Sequence, residues 1–347
     1  MTGRPRWAEG AALPLQAHTR PVRHLTASGA RVYTLTVPIL EMFTAHAYLY
    51  LDGAYAALID TGTPLPQSLG ALDAGLAAVR REWGEGVTWA DLSRIVVTHA
   101  HFDHCGGLPW LLGRTAAPVA ASRLTREVLE DPAGALADEE ARMARFLAQA
   151  GADPALLGNL KRFPQGSVRG LTPVSVHTTL RGGDVLDSRF EVIEAAGHSS
   201  GQVCLRVDDL LLCADQVMTG TSPRLVPHSY EAGSGLRVYL DSLARLSALE
   251  GISLVLAGHD DPMDWPTFQA RAAALTRSHL GRLGVVRDRC AEPLTTAQLA
   301  GGLYPGPSHP ALALLQLQAV ATWVEYQEER GELRREGEAA AQYVRVL

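Results

Sequence analysis

The chain has 347 residues, a length that favours one large domain with a smaller companion. Apolar residues make up 47% of it and charged residues 20%, which excludes a disordered or collagen-like chain. The net charge of −6, from 31 basic and 37 acidic residues, excludes an overall basic coat for nucleic acid.

Residues 1–25 read as an irregular segment rich in Pro, Ala and Arg. The segment has no apolar signal core, so a cytoplasmic location is expected. No run of about 18 apolar residues announces a membrane span. β patterning begins at Arg31–Val37. It continues at Ala47–Leu51 and, after the Asp52-Gly53 turn, at Tyr55–Ile59. Pro66–Arg81 is helical in pattern, Arg94–Thr98 is a short β-branched run of the buried-strand type, and Val119–Ser122 is a further strand. Arg123–Phe163 reads as helices, with apolar positions at Met143, Phe146 and Leu147 and again at Leu156, Leu157 and Leu160.

Strands return at Pro173–Thr178, Arg189–Ala195, Gln202–Val207 and Leu210–Cys213. A helix over Ser234–Leu249 and a strand at Ser253–Ala257 follow. From Trp265 the pattern is mostly helical, closing on a small hairpin formed by Glu332 onward and Gln342–Leu347. Alternation of this kind indicates a layered α/β domain with an α-rich tail. Cys105, Cys204, Cys213 and Cys290 are scattered without a C-x-x-C pair, so neither a disulfide scaffold nor a zinc knuckle is expected.

The most informative segment is Thr98-His-Ala-His-Phe-Asp-His-Cys-Gly-Gly107, which follows an apolar strand. It gathers three imidazoles and a carboxylate within six residues, donors that suit zinc and neighbouring first-row metals. In an extended loop His99 and His101 point the same way, while Asp103 and His104, beyond a bend, can face a second metal. Left without a metal, four such groups would be costly to desolvate. Three more donors stand where apolar strands end: His198 in Ala196-Gly-His-Ser-Ser-Gly201, Asp215 after Leu210–Cys213, and His259 in Ala257-Gly-His-Asp-Asp-Pro262. Strand carboxyl ends are where α/β proteins place their sites.

From Arg31 to Pro262 these residues resemble the metallo-β-lactamase superfamily, with seven ligand positions in order. The resemblance implies a four-layer αββα sandwich spanning residues 26–264. A helical insertion at about 123–165 interrupts it, and a winged-helix-like, α-rich domain over 265–347 follows. It also implies that His99, His101 and His198 hold one divalent ion, that Asp103, His104 and His259 hold a second, and that Asp215 bridges the pair. Zinc is the first expectation, with manganese or iron also compatible with such donors. Asp60, in Leu58-Ile-Asp-Thr-Gly62, matches the family's early acidic position behind the ligands. Asp103 is expected to orient the attacking hydroxide as well as bind metal. His46, His228 and Tyr230 are candidates for substrate contact, His279 is assigned to packing of the tail, and Cys105 is expected to turn away from the site.

True β-lactamases of this fold do not have the aspartate at position 215, so antibiotic hydrolysis is not expected. The ligand set resembles hydroxyacylglutathione hydrolases, acyl-homoserine lactonases and an endoribonuclease branch. The lactonases carry a tyrosine where this chain has Met218, and the 44 positions between Asp215 and His259 (259 − 215) leave no room for the long insertion of RNA-processing relatives. The expected function is hydrolysis of a small ester, thioester or related acyl compound, with the helical insertion as a lid that keeps the pocket dry. An endoribonuclease of the same fold and a non-catalytic binding or regulatory protein are the rival readings. Residues 271–347 carry 9 Arg and 8 acidic residues, a balance that disfavours a nucleic-acid partner.

Overall fold

The computed structural model describes residues 20–40, 43–153, 155, 170–306, 309–337 and 340–346. Its strands alternate between two apolar faces, and that alternation builds the layers. In β3 (Phe43–Asp52), Leu49 faces one cluster while Tyr48 and Tyr50 face another; in β4 (Tyr55–Ile59), Leu58 opposes Ala57 and Ile59 in the same way. β5 (Arg94–Val97) repeats the pattern with Ile95 and Val97 against Val96. A strand apolar on both sides has to be covered on both sides.

One sheet runs β1 (Val22–Leu25), β2 (Arg31–Leu40), β3, β4, β5, β6 (Val119–Ser122) and β7 (Thr178–Leu180) in spatial order. It is antiparallel through β4 and parallel from β4 to β7. The second sheet, in spatial order, is β13 (Met263–Asp264), β12 (Leu254–Ala257), β11 (Leu210–Ala214), β10 (Val203–Val207), β9 (Phe190–Glu194) and β8 (Val185–Leu186). Only its β11/β12 pair is parallel. Phe190, Leu205, Leu212 and Leu256 meet Tyr50, Ile59 and Val96 between the sheets.

On the outer face of the first sheet lies α1 (Pro66–Trp83), whose Leu72, Leu76 and Val79 pack beneath Leu35 and Leu49. Two short helices, α2 (Phe102–Cys105) and α3 (Leu108–Leu112), follow β5, and α4 (Arg123–Glu130) and α5 (Pro132–Gln149) follow β6. The outer face of the second sheet is covered by α6 (Leu236–Ser247), α7 (Trp265–Arg289), α8 (Thr296–Leu303) and α9 (Pro310–Glu329). The result is the expected αββα sandwich. A three-stranded sheet of β14 (Leu294–Thr295), β16 (Gln342–Arg345) and β15 (Leu333–Glu336) closes the C-terminal region. Leu275, Leu299, Leu317 and Trp323 of that region share one apolar cluster with Leu211 and Val255 of the second sheet.

Two elements differ from the sequence pattern, and a third lies outside the described residues. Val22–Leu25, inside the segment read as irregular, forms an edge strand paired with β2. Residues 173–177 do not join the ladder as a strand. Val174 and Val176 donate instead to the Leu129 carbonyl and the Glu130 carboxylate at the end of α4, and the ladder resumes at Thr178. Leu156, Leu157 and Leu160 lie outside the described residues, whereas Phe146 and Leu147 are buried in the cluster behind the second sheet. None of the helices among the described residues is long and apolar enough to cross a membrane.

Candidate metal centre

The site is built where four strands of both sheets end. β5 leads into His99, His101, Asp103 and His104, β9 into His198, β11 into Asp215, and β12 into His259. The chain reverses in α2 immediately after His101, and this turns Asp103 and His104 away from the first two histidines.

Two groups of donor atoms result: His99, His101, His198 and Asp215 in one, and Asp103, His104 and His259 in the other. The Nε2 atoms of His99 and His198 lie 2.9 and 3.0 Å from Nδ1 of His101. In the second group Oδ2 of Asp103 is 3.4 Å from His259 Nε2 and 3.8 Å from His104 Nε2. Asp215 touches both groups. Its Oδ1 is 3.3 Å from His104 Nε2, and its Oδ2 is 3.4 Å from His198 Nε2 and 3.2 Å from His259 Nε2. Donors bonded at about 2.0–2.1 Å to one tetrahedral ion stand about 3.3 Å apart. The observed spacings suit that arrangement.

The far side of three rings is fixed. His104 Nδ1 lies 2.8 Å from Asp60 Oδ2, His198 Nδ1 lies 2.9 Å from the Arg224 carbonyl, and His259 Nδ1 lies 2.6 Å from the Thr44 carbonyl. Each Nδ1 therefore carries the proton it donates, which leaves Nε2 as the nitrogen that faces inward and is free to ligate once an ion displaces any proton on it. Asp60, 2% exposed, also accepts from the Thr98 amide at 2.8 Å and the Thr98 hydroxyl at 2.7 Å. That hydroxyl in turn lies 3.1 Å from His99 Nδ1.

The electrostatics call for positive charge. Burial alone would raise the Asp103 carboxyl, yet His104 and His259 draw it down to about 2. Burial likewise opposes charge on Asp215, and His259 and His104 overcome it, holding the carboxyl well below its ordinary range. His104 is raised because Asp215, Asp103 and Asp60 outweigh its burial, and His259 is pushed up to about 10 against its burial by Asp215 and Asp103. In contrast, burial and then neighbouring imidazoles hold His99 and His101 well below the usual histidine value. His104 Nε2 and Asp215 Oδ1 are buried without a hydrogen-bond partner. Orphaned donor atoms of this kind, opposed across 3.3 Å, fit a divalent cation between them.

Glycines let the backbone come this close. A Cβ on Gly258 would stand 2.2 Å from Asp215 Oδ1 and 2.7 Å from His104 Cε1. Gly197 has φ of 130°, and a Cβ there would lie 2.5 Å from the Tyr239 Cα.

A family model described as the metallo-beta-lactamase superfamily matches residues 41–259, more than half of the chain. The chain belongs to the metallo-beta-lactamase superfamily. It is 26% identical over 199 residues, 57% of its length, to a hydroxyacylglutathione hydrolase of Ectopseudomonas mendocina (strain ymp), and the match spans 58% of that relative's length. A metallo-beta-lactamase family protein of Thermus thermophilus superposes with a TM-score of 0.72 at 25% identity, covering 91% of this chain and 98% of the other. A beta-lactamase domain protein of Burkholderia ambifaria gives 0.73 at 23% identity, covering 99% and 98%.

Beside the metallo-beta-lactamase core, a cavity of about 620 Å³ opens from His101. Its walls are α4 and the first half of α5 on one side, and Ser199, Ser200 and Glu231 on the other. α4 thus serves as a wall through Leu124 and Val128, while Phe146 and Leu147 near the end of α5 are core. Glu231 is the polar residue that the sequence reading passed over. It accepts from the Ser200 amide at 2.8 Å, beside His198.

The three residues offered for substrate contact lie elsewhere. His46 is buried on β3, its amide donating to the Gly258 carbonyl at 2.8 Å and its Nδ1 3.2 Å from the Ala257 carbonyl. It braces the turn that carries His259, and burial lowers its pKa to about 4. Tyr230 is packed edge-on against Phe146, and His228 is exposed and accepts from the Gly233 amide. The physical reason is local. Residues 227–231 form one helical turn, with the Tyr230 and Glu231 amides on the Pro227 carbonyl, and a one-residue step along a helix rotates the side chain by about 100°. Cys105 is buried, with its thiol donating to the His101 carbonyl at 3.2 Å, turned from the cluster as expected. His279 accepts from the Trp323 indole at 3.1 Å within the C-terminal packing.

Proposed function

We propose that the protein is a dinuclear metal-dependent hydrolase of small acyl compounds, esters or thioesters. His99, His101 and His198 would hold one ion, and Asp103, His104 and His259 the other, with Asp215 shared between them. Zinc is the first choice for this His/Asp set, and manganese and iron are chemically compatible. The observation that carries the reading is the Asp215 carboxylate, whose oxygens stand 3.2–3.4 Å from histidine nitrogens of both groups. A bound ion pair supplies a water of lowered pKa and electrophilic stabilisation of developing negative charge.

The chain's own groups do the rest. Asp60 and the Arg224 and Thr44 carbonyls keep the histidine protons on Nδ1. Asp103, half-buried and held ionised by His104 and His259, is the group placed to orient a nucleophilic water. The cavity at His101 receives the acyl part of the substrate between Leu124, Val128 and Ser200. Its lining includes Glu127, Asp131, Asp138, Glu139 and Glu231 against Arg142, which supports a small neutral compound over a polyanion such as RNA. The curated relative is named a hydroxyacylglutathione hydrolase, so a thioester is the first class to test. The order α7–β14–α8–α9–β15–β16 supports reading the C-terminal region as a winged-helix-like module appended to a catalytic unit ending near residue 264.

The decisive test combines metal analysis of the full chain with an activity screen of thioesters, esters, lactones, phosphodiesters and RNA. Wild type is compared with Asp215→Ala. About two ions per chain and thioester or ester turnover lost in the variant support the proposal. Fewer than about 1.5 ions after metal-replete purification, or hydrolysis of RNA alone, would overturn it.

A further inference from the structure

The loop between Asp215 and α6 is gripped from the C-terminal region at several points, and each grip leads back to a proposed ligand. Arg271 of α7 spans the loop's first turn, with Nε donating to the Met218 carbonyl at 2.7 Å and Nη2 to the Thr221 carbonyl at 2.6 Å. Between these, the Gly220 amide donates to Asp260 at 2.9 Å, tying the loop to the residue after His259. Further along, Arg224 Nε donates to Oε1 of Gln318 in α9 at 3.1 Å, and Gln318 is wholly buried. The carbonyl of this same Arg224 receives the His198 ring at 2.9 Å. Glu325 of α9 accepts from the Ser229 amide at 2.9 Å, just before Glu231 returns to Ser200 beside His198.

We propose that Arg271 and Gln318 are positioning residues for the metal centre, setting Asp215 and His198 through the 216–231 loop. This rests on the hydrolase reading above. The C-terminal helices are then a strut for the ligand-bearing loop, and their work is inside the fold rather than on an external nucleic acid.

The chemistry at each point is specific. One guanidinium fork holds two carbonyls three residues apart, which the single ammonium of a lysine cannot reproduce in the same plane. The carbonyl of Arg224 is the acceptor that keeps the His198 proton on Nδ1. When that carbonyl shifts, the His198 ring loses its orientation, and with it the inward direction of its Nε2 lone pair. Met218 stands three residues after Asp215, so slack in the clamped Met218–Thr221 turn is passed along a short segment to its carboxylate.

The experiment uses the full chain and four variants: Arg271→Ala, Arg271→Lys, Gln318→Leu and Gln318→Glu. Zinc affinity is measured by chelator competition, the ligand field by the absorption of the cobalt-substituted protein, and kcat and KM on the best substrate of the screen. Arg271→Ala and Gln318→Leu are expected to bind metal about 10- to 100-fold more weakly, the usual cost of losing an outer-shell partner. They should show altered cobalt spectra and a kcat loss exceeding any change in KM. Gln318→Glu keeps an acceptor for Arg224 and should restore most of the affinity, whereas Arg271→Lys should fall between Arg271→Ala and wild type. Should Arg271→Ala fail to fold, Gln318→Leu against Gln318→Glu decides. Wild-type metal affinity and spectra in folded Arg271→Ala and Gln318→Leu would overturn the strut while leaving the hydrolase reading intact. A wild-type chain that takes up no metal would overturn both.

Discussion

Replacing Asp60 by Asn tests the logic of the site without touching a proposed ligand. The carboxylate accepts three hydrogen bonds, from the Thr98 amide, the Thr98 hydroxyl and His104 Nδ1, at 2.7–2.8 Å. An asparagine of the same shape can keep its oxygen on the Thr98 amide. Its NH2 then occupies the position of Oδ2, between the Thr98 hydroxyl and His104 Nδ1. A donor facing Nδ1 forces that nitrogen to accept, so the His104 proton moves to Nε2, the atom that stands 3.3 Å from Asp215. A protonated Nε2 cannot bind a cation. The Thr98 hydroxyl also loses its carboxylate acceptor, and it is the group that holds His99 Nδ1 at 3.1 Å, so the disturbance reaches the first group of donors as well.

The expected loss of metal affinity is about 10- to 100-fold, or about 1.4–2.7 kcal/mol. Exchanging a charge-assisted hydrogen bond for a neutral or reversed one should also lower folding stability by about 1–2 kcal/mol. The assay is chelator competition for metal, with urea unfolding of the metal-free proteins run in parallel so that the two effects are separated. An Asp60→Asn chain that holds two ions at wild-type affinity would refute the tautomer argument. So would a variant whose whole affinity loss is matched by its loss of stability.

Other consequences are testable in the same way. Gly258→Ala places a methyl 2.2 Å from Asp215 Oδ1, so metal content should fall below half of wild type even though the chain still folds. Stripping metal with a chelator should lower the thermal midpoint, because binding to the native state alone adds RT ln(1 + [L]/Kd) to stability; an unchanged midpoint would count against a native metal site. Burial depresses the His279 pKa to about 4. The unfolded chain therefore takes up a proton at pH values where the native chain does not, and the contribution of this residue, present above about pH 6.5, is lost as pH falls toward 4. His279→Gln should flatten that part of the acid stability curve, read from urea midpoints. Arg94 pairs with Asp187 through Nε and Nη2 at 2.9 and 2.8 Å, with both side chains largely buried, and joins β5 to the turn between β8 and β9. Arg94→Ala should cost about 2–4 kcal/mol of stability and leave metal affinity unchanged.

The site was legible in the sequence because its donors are marked locally. His99, His101, Asp103 and His104 fall within six residues, and a bend after a buried strand is enough to divide them between two groups. His198, Asp215 and His259 each follow an apolar strand through a small residue, a pattern that exists because the backbones must approach within a few ångströms. The layers were legible from strands apolar on both faces. The cavity was not, because its walls depend on how α4 and α5 pack and on a single helical turn at 227–231, which sends Tyr230 into the core and Glu231 to the cavity. Residues 173–177 have a strand's composition, but the Val174 and Val176 amides are claimed by the end of α4 and only His177 reaches β6, a tertiary choice that composition does not record.

Three of the seven non-glycine residues with positive φ among the described residues stand at the same strand ends. Asp60, Ala214 and Asp260 all have φ between 46° and 66°, a region that non-glycine residues rarely occupy. Each sits at or beside a group that faces the metal centre: Asp60 behind His104, Ala214 before Asp215, and Asp260 after His259. For Asp60 and Asp260 the side chains offset the strain through hydrogen bonds to Thr98 and His104, and to Gly220. Ala214 has no such recourse, and its conformation is imposed by the Gly258 amide donating to its carbonyl at 2.7 Å. That bond locks the ends of β11 and β12 together, and it is what brings Asp215 and His259, 44 positions apart in sequence (259 − 215), to within 3.2 Å. Strain, orphaned donors and opposed carboxylates thus fall at one place. An edge of the sandwich built only for stability would have no reason to collect all three.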